Sequence, residues 1–183
     1  MRAFVALELP GAVVESLVQF QDELARTGSD LKLVERENLH FTVKFLGEVS
    51  DSQAAQAAAG LRALKLKAID VAVSGAGAFP DVRRPRVVWA GVSEEDRPAV
   101  EPLARAVRGS LEGVGERDDR PFQAHVTLAR VRSSRKSHEL ESLLSENSLR
   151  NFGRARLAEL KLKSSQLTPG GAVYSDIGVF PLG

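Results

Sequence analysis

The sequence predicts an α+β fold with two pseudo-symmetric lobes of mainly antiparallel sheet, helices on the outside and a central cleft. Two observations support this prediction. Strand-like and helix-like segments alternate in the same order in both halves of the chain, and each half contains a His-x-Thr motif. Arg2 precedes His40 by 38 residues, and in the second half Arg86 precedes His125 by 39. We expect one bilobal domain over residues 1–183.

The first half contains three strand segments and two helix segments. Pro10 is expected at the start of the first helix, and Ser50 or Asp51 can cap the second. The third strand is expected to break down at its glycines and at Pro80. In chain order the segments are RAFVALEL, GAVVESLVQFQDELA, HFTVKFLGEV, SQAAQAAAGLRALKLK and IDVAVSGAGAF.

The second half repeats this order and adds a closing strand. Its first helix is expected to begin near Asp96 and Pro98, and Ser137 can cap its second helix. The turn TPGG separates the two closing strands. In chain order the segments are RVVWAGV, EDRPAVEPLARAVRGSLEGVG, AHVTLARV, HELESLLSEN, RARLAELKLKSSQL and AVYSDIGVF.

Composition excludes several classes of protein. The formal net charge is +1, from 25 basic and 24 acidic residues, so bulk electrostatics do not favour a general nucleic-acid binder. The chain has no cysteine, which excludes disulfides and thiolate metal sites. Glu8, Pro10 and Glu15 interrupt the apolar N-terminus before a signal-peptide core could form. No apolar stretch approaches the length that spans a membrane, and we expect a cytoplasmic protein.

Two of the three histidines in the chain share one pattern. His40 precedes Thr42 and His125 precedes Thr127, each with one apolar residue between. With four threonines in the chain, chance produces this pair on the order of one time in a thousand. The pair is therefore a stronger signal than either motif alone.

The residue types of the two motifs suit acid-base chemistry at an anion. On a strand, His40, Thr42 and Lys44 would project to one face, and His125 and Thr127 would do the same on theirs. Two imidazoles can donate and accept protons near neutral pH. Two hydroxyls can bind an anion with several oxygens, and Lys44 could add positive charge for the equatorial oxygens of a phosphate.

Metal catalysis is the rival interpretation. The chain has no H-x-H or H-E-x-x-H pattern, and the carboxylates near the motifs lack the spacing of metal ligands. The glycines of SGAGAF lack the lysine and hydroxyl residue of a P-loop. We expect neither a metal requirement nor nucleoside triphosphate chemistry.

At these residues the sequence resembles the two-histidine phosphoesterase superfamily, which is defined by paired H-φ-T-φ motifs where φ is apolar. More closely it resembles the RNA 2′,3′-cyclic phosphodiesterases, historically called 2′-5′ RNA ligases. The similarity covers nearly the whole chain. The matching segments are RAFVALELP, VERENLHFTVKFLGEV, PRVVWAGV, FQAHVTLARV and LKSSQLTPGGAVY.

This resemblance implies a bilobal α+β fold and hydrolysis of an RNA 2′,3′-cyclic phosphate end to a 2′-phosphate, without metal or other cofactor. Some members of the family also join such an end to a 5′-hydroxyl without ATP. By position, His40 and His125 would be the catalytic pair, with His40 as the acid and His125 as the base.

The resemblance also implies phosphate-binding residues. Thr42 and Thr127 would supply hydroxyls to the phosphate, and Arg130 stands where family members often place a phosphate-binding arginine. Strict alternation from His125 would turn Arg130 toward the core, so it can serve only if the strand ends or bulges near Ala129.

Contacts to the base or to RNA are predicted in the loop GAFPDVRRPR. Phe79 is the expected stacking platform, with Arg83 and Arg84 beside it, whereas Phe45 and Trp89 are expected in the core. We expect a monomer that acts on RNA ends or small cyclic nucleotides, with no membrane partner. The alternative is an RNA- or nucleotide-binding module that keeps the two-histidine cleft but has no physiological turnover.

Overall fold

The computed structural model describes all 183 residues. Loops connect nine strands and four α-helices, and Arg36–Asn38 form a short 3₁₀ helix. The helices are α1 (Gly11–Arg26), α2 (Asp51–Ala63), α3 (Arg97–Ser110) and α4 (Ser137–Glu146). The strands are β1 (Arg2–Glu8), β2 (Leu31–Leu33), β3 (His40–Glu48), β4 (Ile69–Phe79), β5 (Val87–Val92), β6 (His125–Val131), β7 (Asn151–Leu157), β8 (Glu159–Thr168) and β9 (Gly171–Pro181).

One antiparallel sheet runs through the molecule in the order β7-β4-β5-β6-β3-β1-β8-β9, and β2 pairs with β6. A pseudo-twofold axis between β6 and β3 relates the two sides of this order. The fourth strand of each half pairs with the first strand of the other half: β4 pairs with β5, and β8 pairs with β1. The predicted α+β fold with two lobes is confirmed, and the two halves of the chain exchange strands to build them.

The helices cover one face of the sheet and define the core. α1 packs against β6 and β7, and α3 packs against β3 and β4. The main apolar cluster includes Val5 and Leu7 of β1, but not Phe4 and Ala6, which point to the opposite face. That opposite face is where the cleft forms.

Local signals placed most helix ends correctly. α1 follows Pro10, and Ser50 caps α2 by accepting a hydrogen bond from the amide of Gln53, whose side chain bonds back to the amide of Ser50. α3 ends at Ser110, before Gly113 and Gly115, which the pattern included. None of the four helices combines the length and the apolar character that a membrane span requires.

Three features of the sheet differ from the sequence prediction. The prediction did not include β2. The segment RARLAELKLKSSQL forms two strands, β7 and β8, instead of one. The glycine-rich segment of β4 stays in the sheet through a register shift between Val73 and Ala76, where Gly75 has a φ of +86°. Glycine adopts this angle without the clash that a Cβ would cause, so β4 bulges instead of ending.

Candidate active site

The two His-x-Thr motifs lie on adjacent strands at the centre of the sheet. β3 and β6 meet at a single pair, Phe41 opposite Val126, and both side chains belong to the core. Antiparallel pairing around this point places each motif histidine across from the threonine of the other motif, on the face opposite the core. The structure therefore brings together the four predicted residues, which are His40, Thr42, His125 and Thr127, all half-buried.

β3 bulges by one residue directly after its threonine. Thr42 pairs with Ala6 and Lys44 pairs with Val5, so Val43 has no partner on β1. Paired residues of an antiparallel sheet point to the same side. Lys44 therefore shares the core face of Val5 and not the cleft face of Thr42.

The expected position of Lys44 in the cleft is thus wrong, and the cause is the bulge at Val43. The Lys44 side chain is only 7% exposed and lines a cavity on the other side of the sheet, beside Arg105 and Arg108 of α3. Strict alternation along β3 would have placed Lys44 beside the motif, but the extra residue reverses the alternation.

β6 has the equivalent bulge. Thr127 pairs with Trp89 and Ala129 with Val88, which leaves Leu128 as the extra residue. Both bulges thus fall three residues after a motif histidine. Because the alternation is reversed here too, Arg130 returns to the cleft face, as the sequence analysis required for a role at the phosphate.

A buried glutamine of α1 holds the bulge of β6. Gln21 is 4% exposed, and its Nε2 donates to the carbonyl oxygens of Leu128 and Val34, both at 2.9 Å. The amide of Val34 also donates to the Leu128 oxygen at 2.9 Å. The bulge removes the Leu128 carbonyl from the hydrogen-bond ladder of the sheet. The bonds from Gln21 and Val34 satisfy this carbonyl, because a buried backbone group needs a hydrogen-bond partner.

Phe45 occupies on β3 the position that Arg130 occupies on β6. It pairs with Phe4 on the cleft side of β1 and is 53% exposed. The expectation that Phe45 belongs to the core is therefore wrong, for the same reason that Lys44 is misplaced. The cleft has an exposed aromatic ring on one motif strand and an exposed guanidinium on the other.

His40 is held between two aromatic rings. Phe4 stacks on it with ring centroids 5.2 Å apart and an angle of 18° between the planes, and Tyr174 meets it edge-on at 5.7 Å. Its Nε2 lies 3.0 Å from Thr42 Oγ1. Burial is the main cause that lowers the pKa of His40 to about 4. The ring is therefore neutral at pH 7 in the free protein.

An ion-pair network borders His40. Glu8 pairs with His40 across the strands, and its Oε1 accepts from Lys163 Nζ at 2.8 Å. Lys163 also contacts Asp176 at 3.0 Å, and Lys161 bridges the same two carboxylates at 3.5 and 3.3 Å. The charge of Glu8 raises the pKa of His40 and the charge of Lys163 lowers it, both less strongly than burial acts.

His125 is oriented through its other ring nitrogen. Its Nδ1 lies 2.7 Å from the carbonyl oxygen of Gln123. A carbonyl oxygen only accepts, so the neutral ring keeps its proton on Nδ1 and leaves a lone pair on Nε2. Burial lowers the pKa of His125, and the bond to Gln123 partly opposes it. A hydrogen bond to the backbone of Asn38, two residues before His40, likewise raises the pKa of that histidine.

Phe79 and Trp89 line the His125 side. The edge of Phe79 meets the His125 ring at 5.0 Å and 89°, and Trp89 lies 5.3 Å from Phe79. The indole lies over Gly77, where a Cβ would come within 2.4 Å of it, so only glycine fits there. Trp89 Nε1 is the one buried side-chain donor or acceptor without a partner.

Arg83 and Arg84 lie in the exposed loop between β4 and β5. The backbone amides of both donate to Asp81 Oδ1, at 2.8 and 2.9 Å. The loop joins the end of β4 to the start of β5, and Val87 at that start pairs with Arg130. Both arginines thus lie in a loop whose second end is next to Arg130.

Four residues of the site were not predicted from the sequence, which are Phe4, Glu8, Lys163 and Tyr174. Glu8 alone had a signal, since it is a charge at the end of an otherwise apolar strand. Phe4 contacts His40 because β1 pairs with β3, Lys163 reaches Glu8 because β8 pairs with β1, and Tyr174 reaches His40 because β9 pairs with β8. Local patterns do not show which strands will pair. His, Cys, Asp and Glu side chains form no group of three or more that could hold a metal ion.

The model of the LigT-like phosphoesterase family matches residues 7–89 and 91–174. The chain belongs to the LigT-like phosphoesterase family. Among its LigT-like relatives, the RNA 2′,3′-cyclic phosphodiesterase of Archaeoglobus fulgidus is 38% identical over 180 residues, which is 98% of this chain and 99% of that one. The enzyme of the same name from Methanothermobacter thermautotrophicus is 35% identical and covers 100% of this chain and 99% of its own.

Two solved structures share the fold. TT0787 of Thermus thermophilus is similar with a TM-score of 0.80 at 28% identity, over 100% of this chain and 98% of that one. E. coli LigT complexed with 3′-AMP has a TM-score of 0.78 at 23% identity, over 99% of this chain and 97% of its own. At that identity the second likeness supports the fold alone.

Proposed function

We propose that this LigT-like protein hydrolyses RNA 2′,3′-cyclic phosphate ends to 2′-phosphates without a metal ion. The single observation that carries the proposal is the motif quartet, in which two oriented imidazoles and two hydroxyls share one face of the sheet. The relatives named RNA 2′,3′-cyclic phosphodiesterase support the choice of substrate.

His125 acts as the base in this proposal. Its Nδ1 proton is engaged by the Gln123 carbonyl, so Nε2 is free to take a proton from water as the water oxygen attacks phosphorus. The bond from phosphorus to O3′ breaks as the new bond forms, and the product keeps its phosphate on O2′. Arg130 and the two threonines stabilise the charge on the phosphate oxygens.

His40 supplies the proton to O3′. A histidine with a pKa of about 4 is neutral in the free protein, so it must gain a proton when substrate binds. The phosphate brings a negative charge into a half-buried site, and Glu8 adds another close by; both favour the imidazolium form. Exchange with solvent then removes the proton from His125 and restores His40 for the next turnover.

Phe45 provides a surface for the terminal base. Its exposed ring lies on the cleft face, five residues beyond His40, and an exposed aromatic ring there can stack with any base. Phe79 contacts His125 edge-on, so its first role is to pack against that ring, and its remaining surface is a second candidate contact for RNA. Arg83 and Arg84 would meet only longer RNA.

The decisive experiment measures turnover of adenosine 2′,3′-cyclic phosphate in excess EDTA, with the position of the product phosphate assigned by phosphorus NMR. We expect a 2′-phosphate from the wild type and rates at least a thousandfold lower from His40→Ala and His125→Ala. His138→Ala is the matched control, because His138 is the third histidine and lies exposed on α4.

Two results would contradict the proposal. Turnover that EDTA abolishes would point to a metal enzyme. Tight binding of the cyclic nucleotide without turnover between pH 5 and 9 would favour the RNA- or nucleotide-binding module.

Adding an RNA with a 5′-hydroxyl to the same assay tests 2′-5′ ligation, in which the ribose hydroxyl replaces water as the nucleophile.

A further inference from the structure

Resting on the proposed function, we infer that Lys32 forms a second phosphate site beside Arg130, which holds the 5′-phosphate of the terminal nucleotide. A cyclic mononucleotide lacks this phosphate, whereas the last nucleotide of an RNA chain has it. The site would make the enzyme prefer RNA ends to free cyclic nucleotides.

Strand pairing places Lys32 next to Arg130. β2 is only three residues long and pairs with the end of β6, with Leu31 opposite Val131, Lys32 opposite Arg130 and Leu33 opposite Ala129. Leu31 and Leu33 pack against the core. Lys32 therefore points to the cleft face, as Arg130 does after its bulge.

Both side chains are exposed cations without a partner. Neither Lys32 nor Arg130 makes a salt bridge or a side-chain hydrogen bond, and both are exposed. Arg36, in the segment that joins β2 to β3, is instead paired with Glu15 at 2.7 Å. Cations that face a cleft without carboxylate partners favour a ligand with negative charge. Two of them on directly opposed residues suit a ligand with two anionic groups in succession.

The terminal nucleotide of an RNA chain is such a ligand. Its cyclic phosphate lies at the 2′ and 3′ oxygens, and its 5′ oxygen carries the phosphate that links it to the preceding nucleotide. Arg130 lies on the same strand as His125 and Thr127 and takes the reacting phosphate. Lys32, opposite it on the neighbouring strand, then meets the 5′-phosphate.

The loop arginines are the competing candidates for that phosphate. Arg83 and Arg84 lie on the other side of Arg130, beyond Val87. The carboxylate of Asp81 lies against their backbone amides, which places a negative charge beside them. Lys32 has no carboxylate partner, and its backbone is fixed in a strand, so the observations favour Lys32.

The test compares Lys32→Met with wild type on two substrates that differ only at the 5′ position, adenosine 2′,3′-cyclic phosphate and its 5′-phosphorylated form. We expect the KM for the 5′-phosphorylated substrate to rise about tenfold with kcat unchanged. Both constants for the unphosphorylated substrate should stay within twofold of wild type. Lys32→Arg should keep the low KM, because it retains the positive charge.

Salt dependence provides a second readout. For the dinucleotide that carries the cyclic end, the slope of log KM against log salt should decrease by about one unit or less in Lys32→Met, since one phosphate contact is lost. Lys65→Met removes an exposed lysine just after α2, is the matched control and should leave the KM for the 5′-phosphorylated substrate unchanged. Arg84→Met tests the competing loop.

Three outcomes would overturn the inference: equal losses on both substrates, no loss on either, or a KM effect in Arg84→Met that Lys32→Met lacks. Each of them leaves wild-type turnover of the unphosphorylated substrate intact. Failure of the proposed function would instead abolish that turnover, so the two failures are distinguishable.

Discussion

Phe45 and Arg130 occupy equivalent positions on the two motif strands, each five residues after a motif histidine. A one-residue bulge, at Val43 in one strand and Leu128 in the other, turns both side chains onto the cleft face. The backbone is thus symmetric around the histidines, and the side chains at this position are not. In the proposed function, this difference provides one side of the cleft for a base and the other for a phosphate.

Arg130→Met should lower kcat/KM for adenosine 2′,3′-cyclic phosphate by about a hundredfold to a thousandfold, because the guanidinium stabilises charge that grows on the phosphate oxygens. Arg130→Lys should recover only part of this loss, since an ammonium cannot form two parallel hydrogen bonds to a phosphate. Steady-state kinetics measure both. Lys44→Met is the control and should stay within a few-fold of wild type, and equal losses in both variants would contradict the assignment of faces.

Phe45→Ala should raise the KM for the cyclic nucleotide about tenfold, in line with the stacking energy of one base on an aromatic ring. Phe45→Trp should keep the wild-type KM, because the surface for stacking remains. Val173→Ala removes an exposed apolar side chain of β9 and serves as the control. A KM for Phe45→Ala that matches wild type would place the base elsewhere, with Phe79 as the next candidate.

Much of the fold and the central quartet could be predicted because they depend on local patterns. Alternation identified the motif strands, and the paired His-x-Thr motifs identified His40 and His125. The prediction failed at Lys44 and Phe45, since no local signal announces the bulge at Val43. The condition on Arg130 was met by a bulge whose carbonyl is held by Gln21, and that contact joins residues 107 positions apart.

Gln21→Leu should lower the free energy of unfolding by about 1 to 3 kcal/mol, because it removes the bond to the partly buried carbonyl of Val34 and one bond to the buried carbonyl of Leu128. It should also lower kcat/KM, since the bulge that aims Arg130 loses its support. Urea denaturation and kinetics on the cyclic nucleotide measure the two effects. Gln19→Leu, an exposed position of the same helix, should change neither, and full activity in Gln21→Leu would mean that the bulge needs no help.

Lys163→Met should raise the pKa of His40, because it removes a positive charge and leaves the carboxylates of Glu8 and Asp176 with less compensation. Glu8→Gln should lower that pKa further below its usual range. NMR titration of the His40 ring measures both shifts. Lys161→Met is the control, since it leaves the bond between Lys163 and Glu8 in place, and a fall of the His40 pKa in Lys163→Met would contradict the electrostatic role of this lysine.

His40 should also make the stability of the protein depend on pH. Its pKa is about 4 in the folded protein against an ordinary 6.5, so the unfolded chain binds the proton more readily between these values. The free energy of unfolding should therefore fall as the pH drops from about 6.5 to about 4, by at most about 3 kcal/mol from this group. His40→Gln should flatten this part of the curve in urea denaturation, whereas His138→Gln should not. If the free energy of unfolding of His40→Gln falls as steeply with decreasing pH as that of the wild type, other groups cause the loss of stability in acid.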